Sequence, residues 1–291
     1  MPSWQMRGVA LLIRATRKRR YATEAGGQRM LAEPKGSAEP PARVSREHSV
    51  TSRSVAGFEV HTVRPLGDSD GPVVVYLHGG AYVSEMAPQH WSLVSQVVRE
   101  TRATVVVPDY GLAPEHQATE AFAMLDELLR QLGTGVPVHL AGDSAGGGLA
   151  LALAQRWDAT AHPPLAGLTL IAPWLDLEMN NPGIDAVEPR DPWLTRPGLR
   201  PAAAAWAGDL PLDDPRVSPV NGPLGGLPPT LLLVGDRDIT VPDCRLLRDR
   251  AGSLEYVEVP GAIHVHPLLP TPEGAAARRQ IVEHVRRTTS G

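Results

Sequence analysis

Gly142-Asp143-Ser144-Ala145-Gly146 sets a serine two residues from a glycine on either side. That spacing suits a sharp strand-to-helix turn, where glycines remove the side chains that would collide and the serine hydroxyl stands at the bend. A hydroxyl there can attack a carbonyl carbon if a histidine takes its proton and a carboxylate holds that histidine in the right tautomer. On an elbow of this kind the partners follow in the order Ser, then Asp or Glu, then His. Downstream, Gly235-Asp236-Arg237-Asp238-Ile239 offers Asp238 as the acid, with Asp236 as its rival. Asp243 reads instead as an acid near a helix start. Pro260-Gly261-Ala262-Ile263-His264-Val265-His266 then offers His264 as the base, with His266 as the second candidate. Ten histidines occur in the chain, so position rather than residue type selects this pair.

Attack on a carbonyl puts negative charge on its oxygen, and backbone N–H groups aimed at that oxygen stabilise it by about 3 kcal/mol each. His78-Gly79-Gly80-Ala81-Tyr82 can supply such groups, because paired glycines let the backbone turn its N–H groups to a ligand with no Cβ in the way. The expected donors are Gly79, Gly80, Ala81 and, just after the serine, Ala145. His78 precedes the glycines and is expected to brace the loop by hydrogen bonding rather than to act as the base.

These residues are useful only if regular elements hold them at one edge of a sheet. Short apolar or β-branched runs predict strands over 55–62, 73–77, 104–107, 138–141, 168–172, 231–234 and 254–259. Helical spacing predicts helices over 91–100, 118–132, 145–157, 243–250 and 274–287. Strands alternating with helices imply a mostly parallel sheet covered on both faces. The serine, the acid and the base then all follow the C-terminal ends of strands. Residues 178–228 break the alternation with many Pro, Asp and Gly; the segment is too long for an ordinary connection, and its Trp193, Leu194, Leu199 and Trp206 could form an apolar lid.

The 291 residues carry a net charge of −4, with no general reason to seek nucleic acid. The basic residues are 26 arginines and only two lysines, Lys18 and Lys35, which reads as coding bias. A single cysteine, Cys244, cannot form an internal disulfide, which fits a reducing compartment and makes a cytoplasmic enzyme the expectation. Residues 1–50 differ from the rest: the apolar patch 8–13 is too short to span a membrane and leads into the basic run Arg17-Lys18-Arg19-Arg20. The favoured reading of this arm is a cap packed over the active site, and contact with anionic lipid is the less favoured one. No metal-ligand spacing or dinucleotide glycine pattern occurs, so no cofactor and no metal are expected.

Taken together, these segments resemble the hormone-sensitive-lipase-like esterases, α/β-hydrolases marked by an H-G-G-G loop and a G-D-S-A-G-G elbow. The resemblance runs from about residue 60 to the C-terminus. It rests on His78-Gly79-Gly80, on Asp109-Tyr110-Gly111-Leu112-Ala113-Pro114-Glu115-His116, on 142–147, and on Asp238 and His264. It implies an α/β-hydrolase fold over 51–291, with a helical cap built from residues 1–50 and the inserted 178–228. It also implies a carboxylic ester hydrolase of the bacterial acetyl-hydrolase type, acting on small-molecule esters of short or medium acyl chains. Three departures stand out: Ala81 replaces the third glycine, Gly111 replaces a customary arginine, and His266 sits where an aromatic is common. A lactonase, deacetylase or acyltransferase would use the same three residues, and a non-catalytic ligand-binding protein is the reading from another class. A homodimer through a terminal sheet edge or helix is compatible with the pattern.

Overall fold

In the computed structural model, which describes residues 1–69 and 71–289, four helices precede the sheet: α1 (Trp4–Thr16), α2 (Lys18–Tyr21), α3 (Glu24–Ala32) and α4 (Ala42–Glu47). The sheet begins with β1 (Ser49–Val55) and β2 (Phe58–Arg64), an antiparallel hairpin. One strand was expected over 55–62. The chain instead reverses at Ala56 and Gly57, with φ of 49° and 89°, the two positive values that a tight hairpin turn requires. β1 escaped notice because it lies at the sheet edge with mostly exposed, polar residues, so no apolar alternation betrays it.

Beyond the hairpin the alternation is regular: β3 (Val73–Leu77), α5 (Pro88–Thr101), β4 (Thr104–Pro108), α6 (Ala118–Leu132), β5 (Val138–Asp143), α7 (Ser144–Gln155) and β6 (Leu165–Ile171). Two helices, α8 (Ile184–Val187) and α9 (Arg196–Ala207), occupy the irregular segment. β7 (Thr230–Gly235), α10 (Val241–Ala251), β8 (Glu255–Val259) and α11 (Pro272–Thr289) complete the chain. The eight strands run in the order β1-β2-β4-β3-β5-β6-β7-β8, antiparallel at β1–β2 and β2–β4 and parallel from there on. This is the expected mostly parallel α/β sheet.

Successive residues of a strand point to opposite faces, and here both faces are covered. Val74, Tyr76, Val105, Ala141 and Leu231 meet Leu93 and Val97 of α5 and Ile281 and Val285 of α11. Val75, Leu77, Leu140, Leu170 and Leu232 belong to the opposite layer with Leu125 of α6, Leu149 and Leu153 of α7 and Leu247 of α10. The central strands therefore read as unbroken apolar runs, which is why they were legible. Residues 1–32 and the 178–228 segment meet each other: Gly27 of α3 lies against the Gly198 carbonyl and Pro201 of α9, and the Thr195 hydroxyl donates to the Tyr21 carbonyl.

The junction between β5 and α7 depends on close backbone approach. A methyl group at Gly146 would run into the carbonyl oxygens of Leu77 and His78, at the end of β3. Gly146→Ala is expected to cost about 1–3 kcal/mol of stability in denaturant unfolding, the usual range for overpacking. Gly225→Ala, where a Cβ meets nothing within 4 Å, is the control and should leave the midpoint within experimental error.

Candidate active site

β5 hands the chain to α7 without a loop, and Ser144 takes the bend with φ of 50°. For a residue with a side chain that left-handed conformation costs on the order of 1–3 kcal/mol, so the surroundings must enforce it. They do: a Cβ on Gly142 would strike the Gly146 carbonyl, and the Trp174 N–H donates to the Ser144 carbonyl at 2.8 Å. The hydroxyl that results is only slightly accessible, Ser144 being 9% exposed.

Ser144 Oγ lies 2.9 Å from His264 Nε2, and His264 Nδ1 lies 2.9 Å from Asp238 Oδ2. Asp238 follows β7 and is fully buried; its other oxygen accepts the Thr240 N–H at 3.0 Å. Since a carboxylate can only accept, Nδ1 carries the proton and Nε2 faces the serine as an acceptor. Burial pushes the His264 imidazole toward neutrality, but the Asp238 charge and hydrogen bond, with Asp191 and Asp143 farther off, outweigh it, so its pKa is raised. Asp236 accepts the Gly261 N–H at 2.7 Å and so braces the histidine loop. Asp243 accepts from the Asn181 amide at 2.8 Å. His266 is buried with neither ring nitrogen hydrogen-bonded, and burial pushes it down to about 4, so it is neutral.

The loop after β3 lies against the serine: a side chain on Gly79 would touch Ser144 Cβ. Gly80, Ala81 and Tyr82 have φ of 126°, 54° and 61°, and the Val83 and Ser84 N–H groups both close on the Gly80 carbonyl at 3.0 Å. His78 Nδ1 donates to the Gly79 carbonyl at 2.7 Å, and burial holds its pKa down to about 4, so it is a neutral donor. The C=O and N–H of a trans peptide point opposite ways, so gripping the Gly79 carbonyl turns the Gly80 N–H away from His78. Gly79 itself leaves the expected donor set, because its N–H is spent on Asp143 Oδ1 at 3.0 Å. Among the described residues the Gly80 and Ala81 N–H groups meet no acceptor. The Ala145 N–H sits in the first turn of α7, where a helix does not use its own donors.

Two carboxylates escaped the sequence reading. Asp143, inside the elbow itself, accepts from Tyr76 Oη and the Gly79 N–H and meets His90 Nε2 at 3.3 Å. Burial would raise its pKa, yet His90, Tyr76 and Gly79 together hold it below the usual range. Its position in the pentapeptide was visible; its partners are 53 to 67 residues away, at positions 90, 79 and 76. Asp191, in the irregular segment, accepts the Trp193 and Leu194 N–H groups at 2.7 and 2.9 Å and the Ile239 N–H at 2.9 Å. Burial and the neighbouring Asp238 raise its pKa to about 6. Trp193 stands edge-on to His264, with ring centroids 5.8 Å apart. Tyr82, next to Ala81, stacks on Trp206 of α9 at 4.1 Å with planes 3° apart.

Known proteins resemble this chain. The alpha/beta hydrolase fold family model matches residues 74–268. Esterase LipU of Mycobacterium tuberculosis is 33% identical over 282 residues, covering 88% of this chain and 94% of that protein. An acetyl-hydrolase of Streptomyces hygroscopicus is 34% identical over 223 residues, covering 72% and 73%. Three further curated relatives are longer, and the match spans 48%, 61% and 62% of their lengths. The crystal structure of an esterase from the bacterial hormone-sensitive lipase family superposes with a TM-score of 0.78 at 26% identity, over all of both chains.

Two measurements check the carboxylate roles. Asp143→Ala strands the Gly79 N–H, the Tyr76 hydroxyl and His90, and is expected to lower unfolding stability by about 3 kcal/mol or more, since each orphaned buried group costs about 1–3. Asp191 binds its proton more tightly folded than unfolded, so its contribution is most favourable at low pH and declines as pH rises from about 4 to about 6. The stability of Asp191→Asn relative to wild type should therefore rise across that window in parallel denaturation curves; a constant difference would remove the buried ionisation from the account.

Proposed function

This chain belongs to the alpha/beta hydrolase fold family and groups with its hormone-sensitive-lipase-like esterases, and on that premise we propose that it is a serine carboxylesterase working through Ser144, His264 and Asp238. The observation that carries the reading is the unbroken line Ser144 Oγ, His264 Nε2, His264 Nδ1, Asp238 Oδ2, with 2.9 Å at each step between residues. His264 takes the hydroxyl proton as Ser144 attacks the ester carbonyl. The Gly80, Ala81 and Ala145 N–H groups receive the charge that develops on the carbonyl oxygen. The tetrahedral intermediate then expels the alcohol, which leaves with the proton from His264. Water, deprotonated by the same imidazole, attacks the acyl-enzyme, and Ser144 regains its hydrogen as the acid departs. Asp238 stays ionised throughout and holds the imidazole in register.

The substrate reading is a small ester of short or medium acyl chain. Ala81 in place of a glycine, the Tyr82–Trp206 stack beside it and Trp193 against His264 leave a confined, aromatic surround. In the cap of residues 1–50 and 178–228, the inserted segment supplies the walls Trp193 and Trp206, and the arm only backs it, through α3 against α9. Ser144 and His264 are only 9% and 4% exposed, so substrate enters by displacing part of that cover. An ester panel of increasing acyl length, with lactones and acceptor alcohols alongside, ranks simple hydrolysis against ring opening and transfer on the same residues.

Ser144→Ala is expected to abolish p-nitrophenyl acetate and butyrate hydrolysis, a loss on the order of 10³-fold or more in kcat. A fluorophosphonate should label wild type at Ser144 and leave the variant unlabelled; full activity in the variant ends the proposal. The base must be neutral to work, so kcat/KM should fall about tenfold per pH unit below an apparent pKa above the ordinary 6.5 of histidine. Asp238→Asn removes the charge that raises that pKa and should move the acid limb to lower pH, with kcat lowered by about 10³–10⁴. A wild-type profile flat down to pH 5 would assign the base elsewhere.

A further inference from the structure

α1 is apolar on the side that faces water as well as on the side that faces the protein. Its inner side chains Met6 and Ala10 pack on Ala262, Ile263 and Leu269. The helix is pinned at its start, where the Ser3 N–H and hydroxyl both donate to Glu273, at 2.6 and 2.8 Å. Outward stand Trp4, Leu11 and Leu12, at 76%, 68% and 63% exposure, with Gly8 and Ala15 between them. At 3.6 residues per turn these five positions share an arc of about 100°. The other large exposed hydrophobics among the described residues are Met1, just before this helix, and Leu66, Val136 and Leu246, which are scattered. An ordinary surface helix turns a polar face outward, so this one has an unusual outer surface.

Charge selects what covers it. Residues 1–23 contain Arg7, Arg14, Arg17, Lys18, Arg19 and Arg20 and no acidic residue, on a chain whose net charge is −4. Lys18 and Arg20 are used within the protein: Lys18 donates to the Asp191 and Leu194 carbonyls, and Arg20 pairs with Glu33, while among the described residues the Arg7 side chain donates only to the nearby Pro2 carbonyl. Arg7 and Arg14, one heptad apart, flank the apolar arc on one side, and Arg17 and Arg19 follow the end of the helix; all four are exposed. A second copy docking by the same face would set these arginines against their own kind. An anionic lipid surface offers acyl chains to the stripe and phosphates to its basic border.

We propose that α1 docks this protein on anionic lipid surfaces, with Trp4, Leu11 and Leu12 entering the headgroup boundary and Arg7, Arg14, Arg17 and Arg19 meeting the phosphates. The inner face of the same helix touches Ala262 and Ile263, immediately before His264. Docking therefore sets the His264 loop on the membrane side, where sparingly soluble esters collect; that last step alone rests on the esterase reading.

Co-sedimentation of the full chain with sucrose-loaded vesicles tests this, comparing pure POPC with POPC containing one quarter POPG. Binding should be about tenfold stronger to the anionic vesicles and should weaken as salt is raised. Trp4→Ser/Leu11→Ser/Leu12→Ser should lose about tenfold of that binding, as should Arg7→Glu/Arg14→Glu, while both hydrolyse a soluble p-nitrophenyl ester within twofold of wild type. No binding to either vesicle, or equal binding by the triple variant, overturns the proposal. A wild-type dimer in light scattering that the triple variant dissolves would assign the face to a second copy instead. Absence of ester hydrolysis with vesicle binding intact would strike the esterase reading and leave the docking surface standing.

Discussion

At Ser144 a strand becomes a helix with no residue in between, and the backbone can make that turn only in the left-handed region. Such a conformation persists because the neighbours permit nothing else. Gly142 and Gly146 sit where any side chain would strike backbone, and the Ser144 carbonyl is held from the next strand's exit by the Trp174 N–H. The consequence reaches outward. Because Gly146 lies against the Leu77 and His78 carbonyls, the end of β3 and the loop that follows it are fixed relative to the serine. The Gly80 and Ala81 N–H groups of that loop are thus fixed by packing before any ligand arrives, which is what the proposed oxyanion role requires.

Buried aspartates divide the remaining work, and their chemistry follows from what each one meets. Asp238 meets an imidazole and orients it. Asp143 meets two hydroxyl or amide donors and His90, and so ties β3, the Gly79 loop and α5 to the elbow. Asp191 meets three backbone N–H groups and joins the 190–194 loop to the turn that carries Asp238. Burial, and then the neighbouring Asp238, make ionisation of Asp191 costly, which its raised pKa records. That cost is offset by three amide hydrogen bonds that would otherwise go unmade in a buried place.

The helices outside the sheet are coupled to the site by aromatic and polar contacts rather than by a shared strand. The Tyr82–Trp206 stack links the residue next to Ala81 to α9, and Lys18 clasps the loop that contains Asp191 and Trp193. A displacement of α9 would be felt first at Tyr82, one residue from a backbone donor. Among the described residues no helix is long and apolar enough to cross a membrane, so the exposed stripe of α1 is a surface feature and not a span.

The parallel strands, their order of use and the positions from which Ser144, Asp238 and His264 come together were legible because each is written locally. Buried strands are continuous apolar runs, and a strand-to-helix turn needs glycine at fixed offsets from the residue it presents. The β1–β2 hairpin was misjudged because an edge strand need not alternate, and the loss of Gly79 from the donor set was invisible because its acceptor, Asp143, lies 64 residues away. Asp191 looked like one more polar residue in a Pro-rich stretch, and the favoured reading of the basic arm was a cap, with contact to anionic lipid less favoured. Sequence by itself determined the chemistry that Ser144 could perform and the partners it required. Only the tertiary structure decided which N–H groups beside Ser144 are already taken, which aspartates are braces, and which side of α1 faces water, because each depends on contacts between segments far apart in the chain.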